Sequence, residues 1–393
     1  MVNLITVNSY FDLFPTLVSR LGEEKLNGKK NLIFCEAKVS LMVERYICAL
    51  RGGTFNTEVY SFGKYLSAKK KIDKLLSKEG SSMAVKRILT YTPLTRFNKS
   101  RASLAPTMYD LIIQLKSAKI SPNDIARASE SVTGVLKNKL VDISAVYGDY
   151  EKFIKENGFE DQSSYLSYLP EVIAESQEIK DTDVFLVGYS GFTAQMRSVI
   201  SALLDNAKSL TAVLVEGENE HLFVNETADA IREICVSKKA TLSQEKIHSD
   251  YLLESKIIAE NLFSVQKKGA LKDKIKTDKI HVLSARHPAD EVKKVGCAIK
   301  QLVMGKGCKY KDISIALPDA NIYADELESV FSDLDIPYFL DEQKLSDNHP
   351  LVTLILSYLN AYRKGLERKE LCAFFKNPLF SGDKKLTDAL ENY

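Results

Sequence analysis

The first 66 residues alternate short apolar runs with stretches of helical periodicity. Residues 4–7, 31–36 and 57–62 are rich in apolar, β-branched and aromatic side chains, which predicts strands. Between them, residues 10–21 and 39–50 repeat apolar positions every three to four residues, which predicts amphipathic helices. Because strands separated by helices of this length are joined by crossovers, the pattern predicts βαβ units and a parallel sheet.

The strand pattern stops at about residue 67 and returns beyond residue 180. Residues 67–178 show helical periodicity, which predicts a helical block inserted in the α/β pattern. Apolar runs at 184–187 and 210–217 then predict two more strands. The polar stretch 217–277 is rich in Lys, Glu and Ser and is predicted to be mainly helical.

A second α/β region opens with the predicted strand 279–285. Its first helix begins at Pro288, a residue that suits the first turn of a helix. A strand at 313–317, an amphipathic helix at 321–334 and a strand at 336–340 follow, and the chain then continues into two helices. The fold class predicted from these patterns is α/β, with two parallel-sheet domains and helical insertions.

The composition is ordinary for a globular protein and narrows the choice of function. Of the 393 residues, 45% are hydrophobic and 27% charged, and the formal net charge is +2. A nucleic acid would therefore have to be bound through a local basic patch, because the whole chain is not strongly basic. The N-terminus lacks the pattern of a signal peptide and no apolar run is long enough to span a membrane, which indicates a cytoplasmic protein.

Two α/β regions in one chain suggest a nucleotide-driven motor, so the phosphate-binding loop is the first motif to test. This loop requires glycines, a Lys and a following Ser or Thr after the first strand. After residues 4–7 the sequence reads NSYFDLFPTL, without Gly or Lys, and no Gly-Lys pair in the chain is followed by Ser or Thr. The apolar strand 184–187 runs into Gly188, Tyr189 and Ser190, where a motor would carry acids for magnesium. The sequence therefore predicts no ATP hydrolysis at this site.

Two kinds of metal site, a zinc site and a magnesium nuclease site, can be checked against the sequence. The five histidines and six cysteines have no zinc-type spacing. Asp319, Glu342 and Lys344 resemble the PD…(D/E)xK pattern, in which two carboxylates hold magnesium and a Lys polarises the attacking water. A helix separates the two halves of the pattern here, whereas such nucleases usually carry them on adjoining strands.

Residues 286–360 resemble a known family. The order of an acidic helix start, the strand ISIAL, a helix, IPYFLD and HPLV is similar to the second RecA-like domain of UvrD-type helicases. The variant with IPYF and HPLV looks like the AddB subunit of bacterial AddAB (RexAB-type) helicase–nucleases. Upstream, NLIFCEAKVS, EVYSFGKYL and DVFLVGYSGF are similar to early elements of the same family, although many AddB-type chains keep the phosphate-binding loop that is missing here.

The resemblance implies a domain organisation and a partner. It implies a first RecA-like domain at 1–275 with the helical insertion at 67–178, a second at 276–360, and the start of a second insertion at 361–393. The family's nuclease domain, with magnesium and an iron–sulfur cluster, is not found in these residues, so the chain is expected to be a fragment or a truncated product. AddB-type subunits pair with an ATP-hydrolysing AddA-type subunit on duplex ends in double-strand break repair.

Single-stranded DNA is the expected ligand of such a body, which needs a groove for the backbone and aromatic faces for bases. The DNA-binding residues that the resemblance nominates are Ser61 and Phe62 of SFGKYL. Basic and aromatic clusters at 64–74 and 96–104 add further candidates, although charge runs on helices are more often solvated faces. These candidates are Lys64, Tyr65, Arg96 and Arg101. The alternatives are a stand-alone magnesium nuclease and a structural adaptor that docks a motor subunit.

Overall fold

The computed structural model describes residues 2–22, 30–71, 73–97, 101–217, 222–249, 254–255, 257–258, 277–341, 346–382 and 384–392. The chain divides into two compact units, Met1–Thr277 and Asp278–Tyr393. The strands, in chain order, are β1 (Val2–Val7), β2 (Asn31–Cys35), β3 (Thr57–Tyr60), β4 (Leu75–Leu76), β5 (Glu160–Asp161), β6 (Asp183–Val187), β7 (Ser209–Val215) and β8 (Leu242–Ile247). None of the helices described is both long enough and apolar enough to cross a lipid bilayer.

Helices surround the strands of the first unit and make up the regular structure described in the second. Those of the first unit are α1 (Tyr10–Arg20), α2 (Ser40–Arg51), α3 (Phe62–Lys69), α4 (Lys78–Tyr91), α5 (Arg101–Ser117), α6 (Pro122–Glu130), α7 (Gly134–Asn157), α8 (Leu169–Glu175), α9 (Gln177–Lys180), α10 (Ala194–Asn206) and α11 (Leu222–Lys238). Those of the second unit are α12 (Pro288–Lys306), α13 (Ala320–Asp333), α14 (Pro350–Arg363), α15 (Arg368–Phe375) and α16 (Lys384–Asn392).

A six-stranded parallel sheet with the order β3-β2-β6-β7-β1-β8 forms the centre of the first unit. Its inner strands are buried on both faces, and alternate residues enter two separate cores, because successive side chains of a strand point to opposite faces. Leu4 belongs to the core beneath α3, α8, α10 and α11, whereas Ile5 belongs to the core beneath α1 and α2. The α/β class is therefore confirmed, as a sheet between two helical layers.

The helical insertion has a core of its own. Helices α4, α5, α6 and α7 pack around fully buried residues such as Ile88, Ile112 and Tyr150. The short pairing of β4 with β5 and a 3-10 helix at Gln162–Tyr168 connect this block to the sheet. Residues 69–77 were predicted to be helical, but α3 ends at Lys69, residues 73–74 form a turn and residues 75–76 form β4.

In the second unit, α12 packs against α13 around a small core that includes Val292, Ile299 and Phe331. The segments 279–285, 313–317 and 336–340 were predicted to be strands, but no β-ladder is assigned to them among the residues described. A strand is stable only with a neighbour that takes its backbone hydrogen bonds. Here the two later segments line an apolar groove of about 630 Å³, and the prediction of a second sheet is not met within these residues.

Candidate nucleic-acid interface

The carboxyl edge of the six-stranded sheet is the place where a parallel α/β domain binds its ligand. Four strands end there close together in the sheet, and each is followed by a polar segment. Residues 8–9 follow β1, Glu36 follows β2, Ser61 follows β3, and residues 188–190 follow β6. The chemistry of these segments decides whether the edge suits phosphate, a nucleobase or neither.

The segment after β1 begins α1 directly, without a glycine loop. Ser9 is the N-cap of α1, and its Oγ accepts a hydrogen bond from the backbone N–H of Phe11 at 3.1 Å. Asp12 lies in the first turn, where its negative charge interacts favourably with the positive end of the helix dipole. A carboxylate therefore stands where a phosphate-binding loop would present backbone N–H groups and a Lys.

The segment after β6 is joined to the segment after β2. Gly188 has a φ of +68°, a left-handed conformation that favours glycine, and it turns the chain sharply after the strand. The Glu36 carboxylate then accepts hydrogen bonds from the backbone N–H (3.0 Å) and the Oγ (2.8 Å) of Ser190. Tyr189, which lies between Gly188 and Ser190 in the sequence, is buried. Burial raises the pKa of its phenol, and electrostatic interaction with Cys35 and Glu36 raises it further.

Ser61, Phe62, Lys64 and Tyr65 lie at the start of α3, at this same edge. Ser61 is the N-cap and accepts from the N–H of Lys64 at 3.3 Å. The Phe62 ring is only 3% exposed, and it stacks on the Tyr189 ring with centroids 5.6 Å apart and planes 19° apart. Tyr65 is likewise buried, so both rings contact the protein and neither presents a face to a base. Of the four, only Lys64 is exposed.

Arg96 and Arg101 belong to the helical insertion. Arg96 is exposed in a loop that Asp142 holds, because the Asp142 carboxylate accepts from the backbone N–H groups of Thr95, Arg96 and Phe97 at 2.7–3.1 Å. Arg101 is the first residue of α5, and its side chain lies outside the described residues. These two residues therefore sit on a different element from the carboxyl edge of the sheet.

The nuclease alternative can be followed at one of its three residues. Asp319 is the N-cap of α13, and its Oδ1 accepts from the N–H and the Nδ2 of Asn321 at 2.9 and 3.1 Å. Glu342 and Lys344 lie outside the described residues. Within the described part of the chain, no group of three His, Cys, Asp or Glu side chains is arranged to hold a metal ion.

Three features of this edge were not predicted from the sequence: the Glu36–Ser190 link, the exposed Phe11 and the exposed Lys38. Phe11 is 81% exposed and Lys38 stands in the turn after β2. In NSYFDLF the missing glycines were the feature noted from the sequence. The signal for an exposed aromatic side chain was the Tyr-Phe pair that directly follows the N-cap Ser9.

Comparison with known proteins gives a consistent result. The family described as "ADDB, N-terminal" matches residues 38–260, which is more than half of the chain. The family described as "UvrD-like helicase C-terminal domain" matches residues 249–376.

Several relatives are named as a subunit of an ATP-dependent helicase/deoxyribonuclease. The chain is 25% identical to the protein of Clostridium novyi over 299 residues, covering 72% of this chain and 26% of the relative. It is 27% identical to that of Pelotomaculum thermopropionicum over 337 residues (80% and 29%). It is 25% identical to that of Heliobacterium modesticaldum over 408 residues (93% and 32%). The chain thus spans less than a third of the length of these relatives.

Proposed function

Since this chain belongs to the AddB family, with relatives named as subunits of ATP-dependent helicase/deoxyribonucleases, we propose that it is a non-hydrolysing, helicase-like region that binds and guides single-stranded DNA. It acts in the cytoplasm during the repair of double-strand breaks. An AddA-type partner subunit supplies ATP hydrolysis, and the two subunits work on duplex ends. Magnesium and the iron–sulfur cluster expected for the family belong to a nuclease domain outside these residues.

The observation that carries the proposal is the chemistry at the end of β1. Motors hold the nucleotide phosphates there on backbone N–H groups and a Lys. Here Ser9 takes up the N–H of Phe11 and Asp12 adds a negative charge in the first turn. At the carboxyl end of β6, Ser190 is engaged by Glu36, and residues 184–190 include no acid. Both halves of a hydrolysis site are therefore replaced.

Support for a DNA-guiding role comes from basic side chains that have no anionic partner among the described residues. Lys64, at the start of α3, and Lys38, after β2, are exposed, and neither forms an ion pair with a residue that the structure describes. Lys69, on the same helix α3, is instead paired with Glu178 at 2.7 Å. Unpaired lysines at a ligand-binding edge suit phosphates of a passing strand, as expected for a chain whose net charge is only +2.

The proposal is tested by measuring ATP turnover and DNA binding on the same protein. We expect no DNA-stimulated ATP hydrolysis, and salt-dependent binding of a fluorescein-labelled oligothymidylate of about 15 nucleotides, followed by anisotropy. The variant K64A should weaken binding and reduce the slope of log K against log salt by about 0.7. The matched control K69A removes a Lys that is already neutralised and should leave the slope unchanged.

The other outcomes separate the alternatives. Binding that is absent even at low salt would favour an adaptor that only docks a motor subunit. Magnesium-dependent cleavage that disappears in K344A would establish the nuclease with Asp319, Glu342 and Lys344. ATP turnover stimulated by DNA would overturn the non-hydrolysing assignment.

A further inference from the structure

Phe11 is a large aromatic residue whose backbone is fixed by a hydrogen bond and whose ring is exposed. Its N–H is bonded to the Ser9 Oγ at 3.1 Å, and its ring is 81% exposed. The preceding Tyr10 is fixed edge-on against Phe14, with ring centroids 5.7 Å apart, and is 44% exposed. Because the backbone at Phe11 is fixed before binding, a flat ligand that stacks on the ring has only the side chain to order.

A second exposed phenylalanine lies beside the same sheet and has different surroundings. Phe55, just before β3, is 82% exposed, but it lies at the amino edge of the sheet. Glu178, which lines a pocket together with Phe55, pairs with both Lys30 and Lys69, at 2.9 and 2.7 Å. Exposure of the ring is therefore equal at the two edges, whereas the lysines described beside Phe55 are neutralised and Lys38 and Lys64 at the carboxyl edge form no ion pair with a described residue.

The charges around Phe11 favour a base and disfavour a phosphate. Asp12 follows it in the first turn of α1, and Glu36 lies close enough to raise, after burial, the pKa of Tyr10. Lys64, which forms no ion pair with a described residue, lies near the end of β2. There burial raises the pKa of the Cys35 thiol and the charge of Lys64 opposes that rise. Since β2 and β1 are three strand spacings apart in the sheet, about 14 Å separates the two ends. A strand of a few nucleotides spans that distance.

We propose that Phe11 is a stacking platform for a nucleobase of single-stranded DNA, at the edge where Lys38 and Lys64 contact the phosphates. The strand passes with a base turned toward α1 and its backbone directed away from Asp12 and Glu36. This site rests on the proposed DNA-guiding function and adds to it the residue that contacts a base. Stacking of this kind tolerates every sequence, because each base has a flat face.

The absence of tryptophan from the chain gives a direct test. The variants F11W and F55W each place a single Trp on the protein, at opposite edges of the sheet. We expect oligothymidylate to quench the fluorescence of F11W and to leave that of F55W unchanged. An abasic strand of equal length has the same phosphates and no bases, so it should bind without quenching F11W.

Affinity measurements with alanine variants complete the test. F11A should bind oligothymidylate about five- to tenfold more weakly than the wild type, in line with the loss of one stacked base. Its affinity for the abasic strand, and both affinities of F55A, should match the wild type, and retained binding by F11W shows that position 11 tolerates substitution.

Three results would overturn the stacking site. If the wild type binds DNA and F11A binds it equally well, the proposal fails while the proposed function stands. If no DNA binds to the wild type, both fail. A change of self-association in F11A without a change in DNA affinity would also overturn it, in favour of a protein contact.

Discussion

Glu36 and Ser190, 154 positions apart in the sequence, are joined by two hydrogen bonds at the carboxyl edge of the sheet. The Glu36 carboxylate connects the turn after β2 to the turn after β6, and these two strands are neighbours in the sheet. In a working motor this region would hold magnesium-binding acids and water, whereas here the acid binds a side chain and backbone of the same protein. The link thus ties together two turns at the carboxyl edge of the sheet.

Removing the charge of Glu36 should weaken that edge. Hydrogen bonds to a charged group are worth more than neutral ones, so E36Q should lower the free energy of unfolding by about 1 kcal/mol. S190A keeps the backbone N–H donor and should cost less. Urea unfolding measures both, with S67A as control, since the Ser67 hydroxyl donates to the Gly63 carbonyl on the surface of α3. Equal stability of E36Q and wild type would show that the link contributes nothing.

In the helical insertion, the hydrogen bonds that the Asp142 carboxylate accepts from three backbone N–H groups should make stability depend on pH. Asp142 is 1% exposed; burial alone would raise the pKa of its carboxyl, but the N–H groups of Thr95, Arg96 and Phe97 lower it below its ordinary value. A folded-state pKa below the unfolded value of about 3.9 gives a stabilisation that is complete above that value and is lost as pH falls through the folded-state pKa.

D142N should therefore be about 2 kcal/mol less stable than wild type at pH 7, and the difference should shrink as the pH is lowered below about 4. Urea midpoints across that range measure it. D110N is the control, because Asp110 forms a largely exposed pair with Lys78 at 2.8 Å, and such pairs contribute little. A pH-independent difference would contradict the assignment of the effect to ionised Asp142.

The buried pair Lys116–Asp161 should be the most sensitive polar contact of the insertion. The two charges are 3.1 Å apart with side chains 6% and 0% exposed, and Asp161 also accepts from the Tyr109 hydroxyl at 2.7 Å. Removing one partner leaves a buried charge, so K116M should cost about 3–5 kcal/mol, and K116M/D161N together should recover part of this loss. A double-mutant cycle in urea measures the coupling. A loss in K116M no larger than that in the exposed-lysine variant K78M would contradict it.

Most of the first sheet could be predicted from the sequence, because its strands are buried on both faces and read as continuous apolar runs. β8 was missed: its sequence LSQEKI is polar, and it is an edge strand that pairs with β1. The strand order could not be predicted, since it depends on which crossovers pack together. For the same reason sequence alone did not show that β1 and β2 lie three positions apart.

The residues nominated for DNA binding stay a prediction, but the structure shows which of their side chains are accessible. Phe62 was nominated from the family resemblance and Tyr65 as an aromatic residue near lysines, yet tertiary packing buries both rings. A helix start does not reveal which side chain points inward, because that depends on the neighbouring strand. Here the neighbouring strand is β2, and its Phe34 packs against both rings, with its centroid 4.9 Å from that of Phe62 and 5.2 Å from that of Tyr65.

The extended segments of the second unit should exchange their amide hydrogens quickly. Neither 314–317 nor 337–340 has a backbone N–H hydrogen bond within the residues described, although both carry strand-like apolar sequences, and Phe339 is 89% exposed. Unpaired amides exchange without any opening of structure, so protection should be near zero there and high in β2 and β6. Hydrogen exchange followed by mass spectrometry resolves these peptides. The helix α13, which lies between the two segments, is the internal control and should show intermediate protection. Slow exchange at 314–317 equal to that of β6 would mean that this segment is paired in solution, and that the second sheet expected from the sequence forms after all.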